Sequence, residues 1–308
     1  MNFAPIVLFT FNRLWHTQQT IEALKKNEES SSSELIIYSD GPRSEKDIEK
    51  VLAVRNYLST VSGFKSVKIF ESQFNKGLAK SIISGVTQTL KNHETVIILE
   101  DDMITSPYFL TYMNQALALY QNETSVISIH GYQYPVDDHE FIPETFFLKG
   151  AECWGWATWR RGWKLFDRNP WKLLGKIILN NKINEFDIDG SYPYTRMLFS
   201  QCIGRIDSWA IRWYASAFLA NKVTLYPKYS LIQNIGLDDT GTHNRSWARH
   251  VFETSIHNED IQVKRIDIKE NQAAREALSE YFKKTQIPLI KKIKYTLLDF
   301  LKKNSNQR

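Results

Sequence analysis

From residue 4 to about residue 130, short apolar runs alternate with stretches of helical periodicity, and this alternation constrains the fold more than any other feature of the chain. Apolar runs bounded by polar turns read as strands buried on both faces, and the amphipathic stretches between them read as crossovers. The pattern predicts βαβ units and a largely parallel sheet. Strands are expected over residues 5–11, 35–39, 67–71 and 95–99, with a fifth over 125–130; helices are expected over 14–26, 44–58, 78–90 and 107–120. Right-handed crossovers bring the strand ends to one edge, where an open α/β sheet binds its ligand. Those ends are Thr10-Phe11-Asn12-Arg13, Ser39-Asp40-Gly41-Pro42-Arg43, Asn75-Lys76-Gly77 and Glu100-Asp101-Asp102.

The last of these turns is the most informative. Three adjacent carboxylates repel one another, and a divalent cation or a polyol at the strand end would offset that repulsion. A metal-bridged nucleotide diphosphate satisfies both conditions. The competing reading is a solvated acidic turn before a helix near Pro107, capped by Thr105 or Ser106. The other turns also admit two readings each. Arg13 presents a fork of donors suited to a base or a diphosphate, or lies at the surface. Asp40 accepts a hydrogen bond from a pyrimidine ring, or simply opens an Asp-Gly-Pro turn. Asn75, Lys76 and Gly77 lead into a helix whose free N–H groups, with Lys76, suit phosphate; the alternative is a strain-relieving glycine turn. Neither a Walker motif nor a G-x-G-x-x-G run is present, so the P-loop and dinucleotide classes lack their signature.

At 308 residues, 43% hydrophobic and with a net charge of +5, the chain can bury one large or two small cores. That charge is too weak a footprint to suggest nucleic-acid binding. Two cysteines, Cys153 and Cys202, make no disulfide framework and no metal-ligand pair, which fits a reducing cytoplasm. The first eleven residues lack a basic leader and read as a strand. No stretch approaches the ~20 apolar residues of a spanning helix.

After residue 130 the composition turns aromatic, most densely from Cys153 to Trp159. Trp159 and Trp163, at helical spacing, read as core; Trp154 and Trp156 flank a glycine and are expected to reach a cleft, where flat rings suit sugar faces. Asp207 precedes a helical run to about Ala220 and reads as its N-cap, a proton acceptor, or both.

Taken in order, these segments resemble the GT-A glycosyltransferases, and within them the N-acetylglucosaminyltransferase I-like group, over roughly residues 4–245. Residues 96–109, VIILEDDMITSPYF, look like that group's metal-binding strand, acidic triplet and following helix. Trp154-Gly155-Trp156 is similar to its segment beside the sugar, and Asp207-Ser208-Trp209 to its acidic base motif, although Ile206 and Ser208 depart from the pattern. The resemblance implies a Rossmann-like nucleotide-diphospho-sugar transferase of the α/β class. It implies that Asp102 binds Mn²⁺ or Mg²⁺, that Glu100 and Asp101 face donor sugar and ribose, and that Asp40 reads uracil. Thr10, Phe11 and Arg13 would lie along the nucleotide, Asp207 would deprotonate the acceptor, and His243 would close over the donor as a phosphate or metal contact. Family 2-like transferases share the same expectations.

The chain is accordingly divided into a nucleotide-sugar half (1–130), an acceptor half (131–255) and a tail (256–308). In the tail, residues 288–303 place Leu289, Ile290, Ile293, Leu297, Leu298 and Leu301 at helical spacing beside five lysines. That pattern suits either an anionic membrane surface or a terminal helix packed on the body. The expected protein is a cytoplasmic, metal-dependent, inverting transferase, peripheral on the inner face of the membrane where the tail helix binds it. Its donor is a nucleotide diphospho-sugar, UDP-linked by preference, and its acceptor a saccharide or glycolipid. The alternatives are a sugar nucleotidyltransferase, whose Gly-rich Arg-Lys loop is missing after the first strand, and a non-catalytic saccharide-binding protein.

Overall fold

The computed structural model describes residues 3–137, 139–238 and 249–285. The alternating half folds as β1 (Ile6–Thr10), α1 (Leu14–Lys25), β2 (Glu34–Ser39), α2 (Glu45–Leu58), β3 (Ser66–Glu71), α3 (Leu78–Asn92), β4 (Thr95–Glu100), β5 (Met103–Thr105), α4 (Phe109–Leu119) and β6 (Val126–His130). All five expected strands and all four expected helices form, with ends within two residues of those expected. The remainder comprises β7 (Thr145–Lys149), β8 (Trp156–Trp159), α5 (Arg160–Trp163), α6 (Pro170–Leu179), α7 (Ile183–Phe186), α8 (Tyr194–Cys202), α9 (Trp209–Leu219), β9 (Val223–Pro227), β10 (Ile232–Asn234), α10 (Arg249–Phe252) and α11 (Gln272–Thr285).

Eight strands form one mixed sheet in the order β3-β2-β1-β4-β8-β6-β9-β7. The first four are parallel. Strand order runs outward from β1 to β3 and then restarts beyond β1 at β4, so the crevice between the C-terminal ends of β1 and β4 is a topological switch point. Side chains alternate across the sheet as the period of two requires. Ile6, Leu8, Ile97 and Leu99 join α1 and α2 in one core, while Val7, Phe9, Val96 and Ile98 join α3 in the other.

Strands β5, β7, β8, β9 and β10 were not expected. Residues 103–105 form a strand because β10, far along the chain, pairs with them antiparallel, Ile232 opposite Thr105. Strand β8 inserts antiparallel between β4 and β6, with Trp156 opposite Ile98 and Thr158 opposite Ser128. Trp159 therefore ends a strand and Trp163 lies in the short helix after it, so their helical spacing is coincidental. Both are buried, as expected, with indole N–H groups donating to Leu117 O (3.2 Å) and Thr87 Oγ1 (3.0 Å).

Of the stretch read as a tail, the part up to residue 285 packs back onto the body. Glu270 bridges to Phe147, Leu278 and Phe282 are buried, and Arg275 donates twice to Asp189 at 3.0 Å. The amphipathic segment 288–303 lies outside the described residues. Among the described residues no helix is long and apolar enough to cross a membrane.

Candidate functional site

At the β1/β4 switch point, Arg13 occupies the N-cap position of α1. Its Nη2 donates to Asp101 Oδ1 and, at 2.8 Å, to Asp102 Oδ2. Both carboxylates are buried. Thr17 Oγ1 donates to Arg13 O at 2.8 Å and Thr20 Oγ1 to Asp101 O at 2.9 Å, so the first turns of α1 hold the backbone of both partners. Burial works against the Arg13 charge, but the two carboxylates outweigh it and raise its pKa. Glu100 completes the triplet and is pushed up to about 8, first by burial and then by Asp102 and Asp101. The three carboxylates thus share one guanidinium between them.

A loop after β10 closes this corner. Ile235 N donates to Asp102 O at 2.9 Å, and Gly236 N to Asn234 Oδ1 at 2.8 Å. A Cβ on Gly236 would stand 2.0 Å from Asp102 Oδ2 and 2.9 Å from Arg13 Nη1, so only glycine fits over the pair. Two residues on, Asp238 Oδ2 meets His16 Nε2 of α1 at 3.0 Å. Gly236, Asp238 and His16 were missed in the sequence. The one local signal was Asn234 two residues before a glycine, the mark of an Asx turn.

Three buried polar atoms at the strand ends have no hydrogen-bond partner in the protein: Thr10 Oγ1, Arg13 Nη1 and Asp102 Oδ1. Buried polar groups are nearly always satisfied, so a set clustered at one crevice marks a place for a ligand or ion. Among the described residues no three His, Cys, Asp or Glu side chains converge to form a metal cage. Mg²⁺ and Mn²⁺ do not need one, since Mg²⁺ in particular commonly binds one or two carboxylates together with substrate phosphates. The unpartnered Oδ1 of Asp102 fits that mode.

Asp40 accepts three backbone hydrogen bonds. Its Oδ1 accepts from Gly41 N (2.9 Å) and Lys76 N (2.8 Å), and its Oδ2 from Gly77 N (3.0 Å). Asn75 Nδ2 donates back to Gly41 O at 2.8 Å. The four residues form a clasp joining the ends of β2 and β3, with the N–H groups of Lys76 and Gly77 turned toward Asp40. The expectation that these N–H groups face phosphate is therefore corrected; only the exposed Lys76 side chain remains to do so. Phe11 stacks under Arg43, whose guanidinium carbon lies 4.9 Å from the ring centroid.

The aromatic segment divides in two. Trp156 is 1% exposed and stacks on Trp209 at 5.3 Å, so the expectation that it reaches a cleft is corrected. As the first residue of β8 its ring is fixed to one sheet face and enclosed by Trp163, Trp209 and Trp213. Trp154 is half-buried, edge-on to Tyr132 and Phe252 at 4.8 and 5.4 Å. Between them Gly155, at φ 61°, lets the chain pass Ile232, whose Cγ1 would stand 2.5 Å from a Cβ there.

Just upstream, Glu152 accepts from Tyr194 OH at 3.1 Å and is raised by burial to about 7. The thiol of the intervening Cys153 is pushed up by burial and then by Glu152, Glu100 and Asp102. Glu152 gave no sequence signal because its tyrosine neighbours come from distant segments.

The cap expected at Asp207 is instead Ser208, whose Oγ accepts from Ile211 N at 3.3 Å. Asp207 is 61% exposed and accepts from Arg212 Nη2 at 3.0 Å. Trp209, two residues on, stacks on Trp156, and Trp156 pairs with Ile98 near the end of β4. The start of α9 thus lies at the same sheet edge as the acidic triplet. His243 lies outside the described residues.

No protein-family model and no curated protein matches this chain. Solved structures share parts of it. One is the mannosyltransferase PcManGT from Pyrobaculum calidifontis in complex with GDP-Man and Mn²⁺, at 13% identity over 41% of this chain and 35% of that one, TM-score 0.31. Another is TarS from S. aureus, at 18% identity over 47% of this chain and 25% of that one, TM-score 0.32. The chain spans about a third and a quarter of the lengths of these two proteins.

Two surface hollows, one between residues 133–136 and 253–257 and one beside Trp163 and Phe166, lie away from the acidic triplet.

Proposed function

We propose that this protein is a glycosyltransferase that takes a sugar from a nucleotide diphospho-sugar, with UDP as the preferred nucleotide, and adds it to a saccharide or lipid-linked glycan. The observation that carries the proposal is the unpartnered Asp102 Oδ1 beside Arg13 at the β1/β4 switch point.

In this reading Asp102 holds a divalent cation together with the donor diphosphate. A cation held there by Asp102 would supply positive charge against the negative charge growing on the leaving group. Glu100 and Asp101 face sugar and ribose, Thr10, Phe11 and Arg13 flank the nucleotide, Lys76 reaches phosphate, and the half-buried Trp154 offers a ring to the sugar. Asp40 approaches the uracil through its one remaining lone-pair site, and His243 is the donor-closing residue. In the transfer, an acceptor hydroxyl oxygen forms a bond to the anomeric carbon. The bond from that carbon to the β-phosphate oxygen breaks, its electron pair leaves with the diphosphate, and the hydroxyl proton passes to the Asp207 carboxylate. Attack opposite the leaving group inverts the anomeric centre. Glu152, held near neutrality in its tyrosine pocket, is the rival proton acceptor. Segment 288–303 would tether the enzyme to the inner face of an anionic membrane.

Thermal shift against UDP-sugars and GDP-mannose, with and without Mn²⁺, tests the proposal. A ligand at a hundred times its Kd stabilises by ~2.7 kcal/mol, so a Mn²⁺-dependent rise with at least one donor is expected. A flat response across all donors would remove the donor site.

A further inference from the structure

The outer faces of α6 and α8 carry apolar side chains that the fold leaves in solvent. Helix α6 starts cleanly, with Asn169 accepting from Lys172 N at 3.1 Å and Pro170 in the first turn. Leu173, Leu174 and Ile177 bury its inner stripe. Its outer side presents Trp171, 56% exposed, Ile178, and Leu179 at 84%. Ile183, Phe199 and Ile203 extend the same surface through α7 and α8, and Trp171 meets Phe199 edge-on at 6.4 Å. Soluble surfaces rarely expose so many large apolar side chains together without a partner.

The charges around this patch are mostly basic, although Asp187, which accepts from Thr195 N, and the exposed Asp207 lie at its margin. Residues 164–184 contain five basic residues and one acidic. The acidic one, Asp167, is bonded to Lys172 at 2.7 Å. Glu185 is paired with Lys149, and Asp189 with Arg275. Arg168, Lys176, Arg196 and Arg205 make no ion pair among the described residues. A second copy of the chain set against this face would oppose like charges. An anionic bilayer matches it in both respects, because lysine and arginine stems can lie along the apolar patch while their heads meet phosphate, and tryptophan favours the interface.

We propose that the α6–α8 face seats this protein on an anionic membrane surface. The chain passes from Ile203 through Arg205 to Asp207, so a bilayer here would lie beside the acceptor side of the site. That consequence rests on the proposed transferase reading; the seating does not.

The test is co-sedimentation of the full-length protein with phosphatidylglycerol/phosphatidylcholine vesicles and with phosphatidylcholine alone. Binding is expected only to the anionic vesicles, and is expected to fall as salt is raised. Each basic residue at such a surface contributes roughly fivefold to partitioning, so the double reversal K176E/R196E should lower it at least ~25-fold. The apolar variant W171Q/L179Q should lower it comparably, with an unchanged melting temperature in both cases. Undiminished sedimentation of both variants overturns the proposal, as does absence of wild-type binding. A wild-type dimer that these variants dissolve, without vesicle binding, assigns the face to a second copy and also overturns it. Donor-dependent thermal shift on the same samples reads the catalytic site separately.

Discussion

Asp102 divides its two oxygens between tasks: Oδ2 accepts from Arg13 and Oδ1 is left without a protein partner. Asp102→Asn keeps the shape and an acceptor but removes the charge a cation requires. The variant is expected to fold and to lose Mn²⁺-dependent donor stabilisation, checked by thermal shift; undiminished Mn²⁺-stimulated binding would remove Asp102 from the site. At the start of α9 the cap is Ser208, which separates the helix start from the base role proposed for Asp207. Because Ser208 is the cap, Asp207→Asn should leave stability and donor affinity unchanged while transfer falls ~10² to 10⁴-fold. Ser208→Ala should instead cost ~1 kcal/mol of stability. Near wild-type turnover by the Asn variant would pass the base role to Glu152, and the inference of inversion would go with Asp207.

Among elements, β8 and β10 do what the alternating half cannot. Strand β8 carries the aromatic segment to the end of β4, and β10 pairs with β5 to set Gly236 over Asp102. The two meet where Gly155 passes Ile232. Gly155→Ala combines a positive φ with a clash, and is expected to destabilise by ~1 to 3 kcal/mol. It should also displace the Gly236 loop and weaken donor binding. Gly175 offers the contrast. It sits inside α6 with open space where a Cβ would point, so Gly175→Ala should stabilise by up to ~1 kcal/mol. Urea denaturation of the pair would reveal the opposite signs; equal effects would refute the steric account.

For the whole molecule, two buried groups outside the acidic triplet contribute to the dependence of stability on pH. His130 is depressed by burial from 6.5 to about 3, and its Nε2 accepts from Trp154 N at 3.3 Å. The unfolded chain takes up this proton first, so stability is lost as pH falls below 6.5 toward 3, by at most ~1.4 kcal/mol per unit. Glu152 is raised from 4.5 to about 7. The unfolded chain releases that proton first, so stability is lost as pH rises from 4.5 to 7, by less than the same limit because the side chain is partly exposed. Between 4.5 and 6.5 the two slopes oppose each other. Melting curves from pH 3 to 8 should show His130→Gln flattening the acid limb and Glu152→Gln the alkaline one. Unchanged slopes in both variants would count against the burial argument.

The amino-acid sequence by itself determined the parallel half and its acidic strand end, because local apolar periodicity and turn chemistry decide where strands start and stop. The triplet Glu100-Asp101-Asp102 and Arg13 were legible as polar groups at aligned turns, as was the burial of Trp159 and Trp163. Only the tertiary structure decided which groups meet. Asp40 is held by the N–H groups of Lys76 and Gly77, Trp156 is drawn into the core by a strand that inserts from residue 156, and Gly236 arrives over Asp102 from more than a hundred residues away. Those outcomes depend on pairing between distant segments, and periodicity along the chain carries information only about neighbours.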